Sequence, residues 1–159
     1  MKITIISVGK LKEKYLIDGI AEYSKRLSKY TKIEEIVLQD EPIREKSSDA
    51  LNEEIKIKEG KKILDAIDVK SYIIVLDLKG IMLTSEELAK KVLDIQTYHS
   101  SNITFIIGGS LGLSKEVIDK ADYRLCFSKM TFPHQLMKLI LIEQIYRAFK
   151  INNNETYHK

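Results

Sequence analysis

Short apolar runs rich in β-branched residues alternate with amphipathic segments along the whole chain, and this alternation restricts the folds open to it. The runs that we predict to be strands are residues 2–8, 32–38, 72–77, 102–107 and 122–127. The predicted helices are residues 12–30, 51–67, a segment that begins at Thr84, 114–120 and 134–151. Because strands that alternate with helices and are apolar on both faces form parallel sheets, we predict an α/β fold with a mainly parallel sheet and helices on both faces.

Local signals refine this element order. Thr84 and Glu87 have the spacing of a capping box, which predicts a helix start there. Lys79-Gly80 is expected to turn the chain after the third strand. Residues 39–50 are polar and contain one of only two prolines, which predicts an exposed loop. The chain has no repeat, no low-complexity tract and no evident linker, so residues 1–159 are expected to form one domain.

The charge of the chain is mildly basic and unevenly distributed. The net charge of +3 at pH 7 is too small by itself to require a polyanionic partner. Basic residues are concentrated in segments 10–32 and 124–159, around an acidic middle. Two basic ends suit RNA or another phosphate-bearing partner, and the alternative is that these segments are merely solvated surfaces.

Cysteine, histidine and hydropathy patterns exclude some classes of protein. The single cysteine, Cys126, rules out an internal disulfide, fits a reducing cytoplasm and is either a buried small hydrophobe or a nucleophile. The N-terminus lacks the apolar core of a signal peptide, and no apolar run is long enough to cross a membrane, so we expect a cytoplasmic protein. His99, His134 and His158 have no metal-ligand spacing with Cys126, so no metal is expected.

Three predicted strand ends carry residues suited to a ligand site, and ligands of open parallel sheets bind beyond such ends. The first is Leu76-Asp77. The second, Gly108-Gly109, lets the backbone approach a ligand, although a plain strand-to-helix turn has the same sequence. In the third, residues 127–132, the side chains of Met130 and Phe132 are suited to flank a flat heterocycle. The alternative for this third segment is that its apolar members plug the core.

The helix that begins near residue 134 is apolar around nearly its whole circumference. Its apolar members are Leu136, Met137, Leu139, Ile140, Leu141, Ile142, Ile145, Tyr146 and Phe149. A helix of this kind must be buried on nearly all sides. In a chain of 159 residues, either one side meets a second copy in a two-fold dimer, or the helix is wholly internal.

A set of motifs runs the whole length of the chain. They are Ile5–Lys12, Leu76-Asp77 with Gly80, Leu83 and Ser85-Glu86, Ile106–Ser110, Gly112–Ser114, Phe127–Gln135, Glu143–Ala148 and Tyr157–Lys159. In combination they resemble the ribosomal RNA large subunit methyltransferase H family of the SPOUT superfamily. One departure is Leu111, where many members of that family carry a polar or acidic residue. The resemblance implies a SPOUT-type sheet with a C-terminal trefoil knot, a homodimer and S-adenosyl-L-methionine as methyl donor.

The resemblance also implies a reaction, which is methylation of N3 of a pseudouridine in 23S rRNA, on the assembled ribosome. The residues that it assigns to the cofactor are Leu76, Gly108, Phe127, Ser128, Lys129, Met130, Thr131 and Phe132. It makes Arg147 and His158 catalytic candidates: His158 or a neighbour as the base, and Arg147 to bind phosphate or support the forming anion. Glu143, one helical turn before Arg147, is expected to orient it. For His158, a frayed tail without function is the alternative.

Two further classes of protein stay open at this point. One is an RNA-binding or ribosome-assembly module without catalysis, which would bind no S-adenosyl-L-methionine. The other is a nucleotide-dependent oxidoreductase. The chain lacks the glycine fingerprint of that class and a clear ribose-binding acid about twenty residues beyond it.

Overall fold

The computed structural model describes residues 1–159, which contain five strands and five helices in strict alternation. The strands are β1 (Lys2–Val8), β2 (Lys32–Leu38), β3 (Tyr72–Met82), β4 (Asn102–Ile107) and β5 (Tyr123–Cys126). The helices are α1 (Lys14–Leu27), α2 (Asp49–Ala66), α3 (Ser85–Tyr98), α4 (Lys115–Lys120) and α5 (His134–Asn152). The predicted order of elements is confirmed.

The five strands form one sheet in the order β2-β1-β4-β3-β5, and every neighbouring pair is parallel. Ile5 of β1, for example, lies between Glu35 of β2 and Phe105 of β4 and is fully buried. Helices cover both faces, which explains why β1 and β4 are apolar on both sides. The predicted parallel α/β fold is confirmed, and all five carboxyl ends lie at one edge of the sheet.

Two apolar cores lie on opposite faces of this sheet. The larger core packs Ile3 and Ile5 of β1 against α1, α3 and α5. The smaller core packs Ile6 and Val8 against α2, including Ile63, and against α4. Because successive side chains of a strand point to opposite faces, one strand supplies both cores.

β3 continues past Lys79-Gly80, where the sequence predicts a turn. Its pairing with β5 shifts, so that Leu76 and Ile81 both lie opposite Leu125 and the intervening residues bulge out of the ladder. A Cβ on Gly80 would lie 2.6 Å from the carbonyl oxygen of Arg124, so only glycine permits this close approach. The prediction that the strand ends in a turn is wrong, and a bulge takes the place of that turn.

The exposed loop after β2 is slightly shorter than predicted. α2 begins at Asp49, because the Ser48 hydroxyl accepts a hydrogen bond from the backbone N–H of Leu51 at 3.2 Å and caps the helix. Residues 39–48 form the connection, and most of them are exposed.

α5 packs against α1 and α3 on the larger core. Leu141 and Ile142 are fully buried there, whereas Leu136 and Ile140, in the first two turns, are half-buried. The helix is therefore largely internal, and its remaining apolar surface lies near its N-terminus. None of the helices combines the length and the apolar character needed to span a bilayer.

The capping box predicted at the start of α3 is present and can be tested against a matched serine. The Thr84 hydroxyl accepts from the Glu87 backbone N–H at 3.1 Å, and the Glu87 carboxylate accepts from the Thr84 N–H at 2.7 Å. Thr84→Ala is expected to lower the free energy of unfolding by about 1 kcal/mol, because an amide of the first turn loses its acceptor. Urea denaturation measures this loss.

Ser114→Ala is the control for this prediction. Ser114 occupies the same position before α4, but its hydroxyl makes no capping hydrogen bond and is buried without a partner. Its removal should leave the free energy of unfolding unchanged or slightly higher. Equal losses in the two variants would contradict the capping role of Thr84.

Candidate functional site

A cavity of about 590 Å³ lies at the carboxyl edge of the sheet, beyond β3, β4 and β5 and beside the start of α5. Its walls are segments 76–78, 107–113, 125–128 and 130–134, together with Met137. Most of the wall is apolar, and its volume lies in the range of small-molecule sites, about 300–1,000 Å³. The three strand ends singled out from the sequence therefore meet around one cavity.

The structure brings together all but one of the residues that the family resemblance assigns to a cofactor. Leu76, Gly108, Phe127, Ser128, Met130, Thr131 and Phe132 line the cavity. Lys129 is exposed and does not line it. The part that these residues play in cofactor binding stays a prediction.

The glycine loop after β4 is a tight turn that also forms a wall of the cavity. The Gly112 N–H donates to the Gly109 carbonyl at 3.0 Å, and Gly112 has a φ of +87°. A Cβ on Gly108 would lie 2.9 Å from the carbonyl carbon of Gly112, so a side chain there would push the two arms of the loop apart. The same geometry therefore fits both interpretations of the double glycine, which are a plain turn and a backbone that can approach a ligand.

The segment after β5 is held by its own short-range hydrogen bonds. The Ser128 hydroxyl accepts from the Met130 N–H at 3.0 Å, and the Cys126 thiol donates to the Ser128 carbonyl at 3.1 Å. Cys126 is 5% exposed, which fits a buried small hydrophobe with a weak donor. Phe127 packs against the larger core and also borders the cavity. It therefore fills the core and lines a pocket, which are the two alternatives considered for this segment.

His134, in the first turn of α5, also belongs to the cavity wall. Its burial lowers the pKa of the imidazole, against a smaller opposite effect of the nearby Asp40 carboxylate. The neutral form of the ring is therefore favoured. The sequence showed this histidine in a motif without indicating that it faces the cavity.

Arg147 and His158 lie outside the cavity wall, in a separate cluster at the end of the chain. Arg147 donates through Nε and Nη2 to Oε1 of Glu143, at 3.1 and 2.6 Å. The Tyr157 hydroxyl donates to the same oxygen at 3.0 Å. The predicted contact between Glu143 and Arg147 is present, and this carboxylate raises the pKa of Arg147.

Both ring nitrogens of His158 are engaged in this cluster. Arg147 Nη1 lies 3.2 Å from Nδ1, and because a guanidinium only donates, Nδ1 is the acceptor. Nε2 therefore carries the proton and donates to Oε1 of Glu86 at 2.7 Å. This hydrogen bond holds the pKa of Glu86 below its usual value. From the sequence, Glu86 is known only as part of the motif Ser85-Glu86 at the start of α3, and its contact with the tail was not predicted.

Aromatic packing also holds the tail in place. The Tyr157 ring meets Tyr146 edge-on at 4.9 Å, and the Arg147 guanidinium lies 4.7 Å from the Tyr157 ring centre. Burial raises the pKa of Tyr157, so its hydroxyl stays protonated as a donor. The last residues are thus docked on α3 and α5, which is not the arrangement of a frayed tail.

The fold and a match to a family model show that the chain is a SPOUT methyltransferase. A family model described as "Predicted SPOUT methyltransferase" matches residues 1–158. Among solved structures, a probable methylase family protein from Haemophilus influenzae Rd KW20 superposes with a TM-score of 0.53 at 17% identity, over 99% of this chain and 70% of that one. The second comparison bears on the fold alone.

Curated relatives narrow this class. The chain is 58% identical to ribosomal RNA large subunit methyltransferase H 1 of Clostridium perfringens, over 100% of both chains. It is 60% identical to the ribosomal RNA large subunit methyltransferase H proteins of Alkaliphilus oremlandii and Clostridioides difficile, again over 100% of both chains. The chain belongs to the ribosomal RNA large subunit methyltransferase H family of SPOUT methyltransferases.

The docking of the tail depends on one carboxylate, and this can be tested. Glu143→Gln leaves Arg147 and Tyr157 without their charged acceptor, and hydrogen bonds to charged groups contribute about 1.5–3 kcal/mol. We expect the backbone amides of residues 155–158 to exchange with deuterium about tenfold faster. Mass spectrometry of C-terminal peptides measures the exchange.

Glu54→Gln provides a matched control, because Glu54 and Lys58 form a pair with the same helical spacing on the exposed face of α2, on the opposite side of the sheet. That substitution should leave exchange in the tail unchanged. If Glu143→Gln has no larger effect than Glu54→Gln, Glu143 does not hold the tail.

Proposed function

We propose that this protein transfers the methyl group of S-adenosyl-L-methionine to N3 of a pseudouridine in 23S rRNA, on the assembled ribosome. Residues 1–159 act as one SPOUT domain, and the enzyme works as a homodimer in the cytoplasm, where its substrate is found. One observation carries the proposal. The residues that the family resemblance assigns to the cofactor, apart from Lys129, surround a single cavity at the carboxyl edge of the sheet.

The cavity fits the methyl donor in size and character. Met130 and Phe132 line the cavity and are suited to flank the flat adenine ring, and the backbone of Leu76, Gly108 and the lining residues after β5 would hydrogen-bond its edge. When bound, the donor supplies an electrophilic methyl group on a sulfonium. The apolar wall would exclude water from the bound donor, and the tight glycine loop would hold the backbone of that wall in place.

The target nitrogen must lose its proton before it can attack a methyl group, so the site needs a base. In the docked tail, Nδ1 of His158 is occupied by Arg147 and Nε2 is occupied by Glu86. When Arg147 turns toward an RNA phosphate, Nδ1 becomes free to accept the proton. Glu86 remains on Nε2–H and stabilises the imidazolium that forms, as a carboxylate does in a His–carboxylate pair.

Two features support a homodimer whose sites are shared between subunits. Leu78 and Met130, on the cavity wall, are 58% and 74% exposed, and Met82 nearby on β3 is 51% exposed. An apolar rim of this kind favours a partner. The cluster of Arg147 and His158 does not line the cavity of its own subunit, so the tail completes the site of the other one.

The path of the chain supports the trefoil knot. β5 lies at the edge of the sheet beside β3, whereas α5, which follows it directly, packs between α1 and α3 over the larger core. Segment 127–133 carries the chain from the edge back across the ends of the inner strands. In the proposed knot, this segment passes through the loop formed by the chain around β3 and α3.

Label transfer tests the proposal directly. The protein and S-adenosyl-L-methionine with a labelled methyl group are incubated with naked rRNA, with free subunits and with whole ribosomes. We expect label in 23S rRNA of whole ribosomes, and nucleoside mass spectrometry should identify it as N3-methylpseudouridine. Gly108→Ala is the negative control, since its Cβ would lie 2.9 Å from Gly112 and distort the cavity.

Absence of label from all three substrates would refute the methyltransferase proposal. If the wild-type protein also failed to bind the donor in calorimetry, a non-catalytic RNA-binding module would be favoured. Label on a different nucleoside would refute the assigned base while leaving methyl transfer intact.

Shared sites predict a specific result for mixed dimers. A heterodimer of one Gly108→Ala subunit and one His158→Ala subunit is purified through two different tags and assayed on ribosomes. If the tail acts on the other subunit's cavity, one of the two sites is intact, and about half of wild-type turnover is expected. Both homodimeric variants should be nearly inactive. A heterodimer as inactive as the homodimers would place the tail and the cavity of each site on the same subunit.

A further inference from the structure

Glu59 of α2 is a buried acid without a counter-ion. It is 4% exposed, and its only hydrogen bond is from the Glu41 backbone N–H to Oε2, at 2.9 Å. Lys62, one helical turn after Glu59, instead pairs with the Glu41 carboxylate at 2.9 Å. Glutamate is rarely buried to this extent unless it is paired, so this position calls for a reason.

The Glu59 carboxyl group lies directly against the glycine loop of the cavity. A Cβ on Gly109 would lie 3.1 Å from Oε1 and 3.6 Å from Oε2 of Glu59. The residue that follows Glu59 touches the other end of this loop. A Cβ on Gly60 would lie 2.3 Å from the Ser114 hydroxyl, which is buried and has no hydrogen-bond partner. Helix α2 therefore contacts the loop where it starts and where it ends.

Glu59 also holds the beginning of the exposed loop that follows β2. The Glu41 N–H donates to the Glu59 carboxylate, and one turn further along α2, Lys62 Nζ donates to the Gln39 carbonyl at 3.0 Å. The carboxyl carbon of Asp40 lies 4.0 Å from the Cβ position of Gly9, at the end of β1. Segment 39–41 and the glycine loop are thus attached to the same turn of α2, at the same edge of the sheet.

The charges around Glu59 do not compensate for its burial. Burial raises the pKa of Glu59, and the carboxylates of Asp40 and Glu41 add to this effect. The Glu41 N–H and the Lys62 charge act in the opposite direction. Because the pKa is higher in the folded protein, the stabilisation from this proton is complete below the unfolded value and is lost as the pH rises. A position that weakens the fold near neutral pH is consistent with a functional constraint.

We propose that Glu59 is a positioning residue, which fixes the glycine loop of the methyl-donor cavity and segment 39–41 relative to each other. The inference rests on the proposed function, since it assigns the donor to this cavity. Without Glu59, a void opens beside Gly109 and the Glu41 N–H loses its acceptor. The donor then has to order the loop when it binds, which lowers its affinity.

Deuterium exchange in the ligand-free protein tests the structural part of this proposal. In Glu59→Ala, amides in segments 39–42 and 108–113 should exchange about tenfold faster, because a buried N–H is left unpaired. In Glu59→Gln, the side-chain amide oxygen still accepts from Glu41, so exchange should stay within about twofold of wild type. Unchanged exchange in Glu59→Ala, or equal acceleration in Glu59→Gln, would overturn the proposal.

Two variants of the same helix serve as controls. Glu54→Ala changes an exposed glutamate whose side chain is 59% accessible. Ile63→Val destabilises the smaller core, in which Ile63 is 1% exposed, and leaves the Glu59 carboxylate in place. Neither should accelerate exchange in the two segments. If Ile63→Val accelerates them as much as Glu59→Ala does, the effect is general destabilisation and the proposal fails.

Calorimetry with S-adenosyl-L-methionine tests the functional part. Glu59→Ala should raise the Kd about tenfold, and Glu59→Gln should restore it to within about twofold of wild type. Faster exchange with an unchanged Kd would overturn the positioning role. If the wild-type protein binds no donor, the proposed function fails, while the exchange data still decide whether Glu59 holds the loop.

Should Glu59→Ala not fold, Glu59→Asp, whose shorter side chain reaches less far, takes its place with the same expectations.

Discussion

Parallel pairing of all five strands is the constraint on which the rest of the structure depends. It places every carboxyl end at one edge, and it requires each connection to cross a face of the sheet. The crossovers become helices on both faces, which bury the strands on both sides. The loops that leave β3, β4 and β5 consequently meet, although they are far apart in the sequence. The cavity exists because these loops have no other edge at which to end.

The order of strands and helices could be predicted because buried residues recur along the sequence with the period of the strand or helix that contains them. The capping pair at Thr84 and Glu87 is local in the same sense. The bulge in β3 was missed, because Gly80 is explained only by a carbonyl of β5 that packs against it. A glycine after a strand looks the same in sequence whether it turns the chain or lets another strand come close. The helix boundaries differ for a similar reason, since single caps such as Ser48 decide them.

The candidate site was predictable where its residues follow strand ends and unpredictable where isolated charges supply the contacts. Gly108 and segment 127–133 could be identified because strand ends of parallel sheets share an edge. Glu59 and Glu86 each lie in a helix among other charged residues, and nothing in the sequence distinguishes them from solvated ones. Lys129 was assigned with its neighbours, yet the path of the loop leaves it outside the cavity wall. Contacts between distant side chains require the fold.

The position of the cavity along the chain has a consequence for how the protein matures. Its walls include segments 125–128 and 130–134 and Met137, and the helix that closes it packs on the larger core as far as Phe149. During synthesis, the first four strands and their helices emerge before any of this material is available. A growing chain therefore lacks a complete cavity until the start of α5 has left the ribosome. A chain that stops before residue 125 has only the walls supplied by segments 76–78 and 107–113.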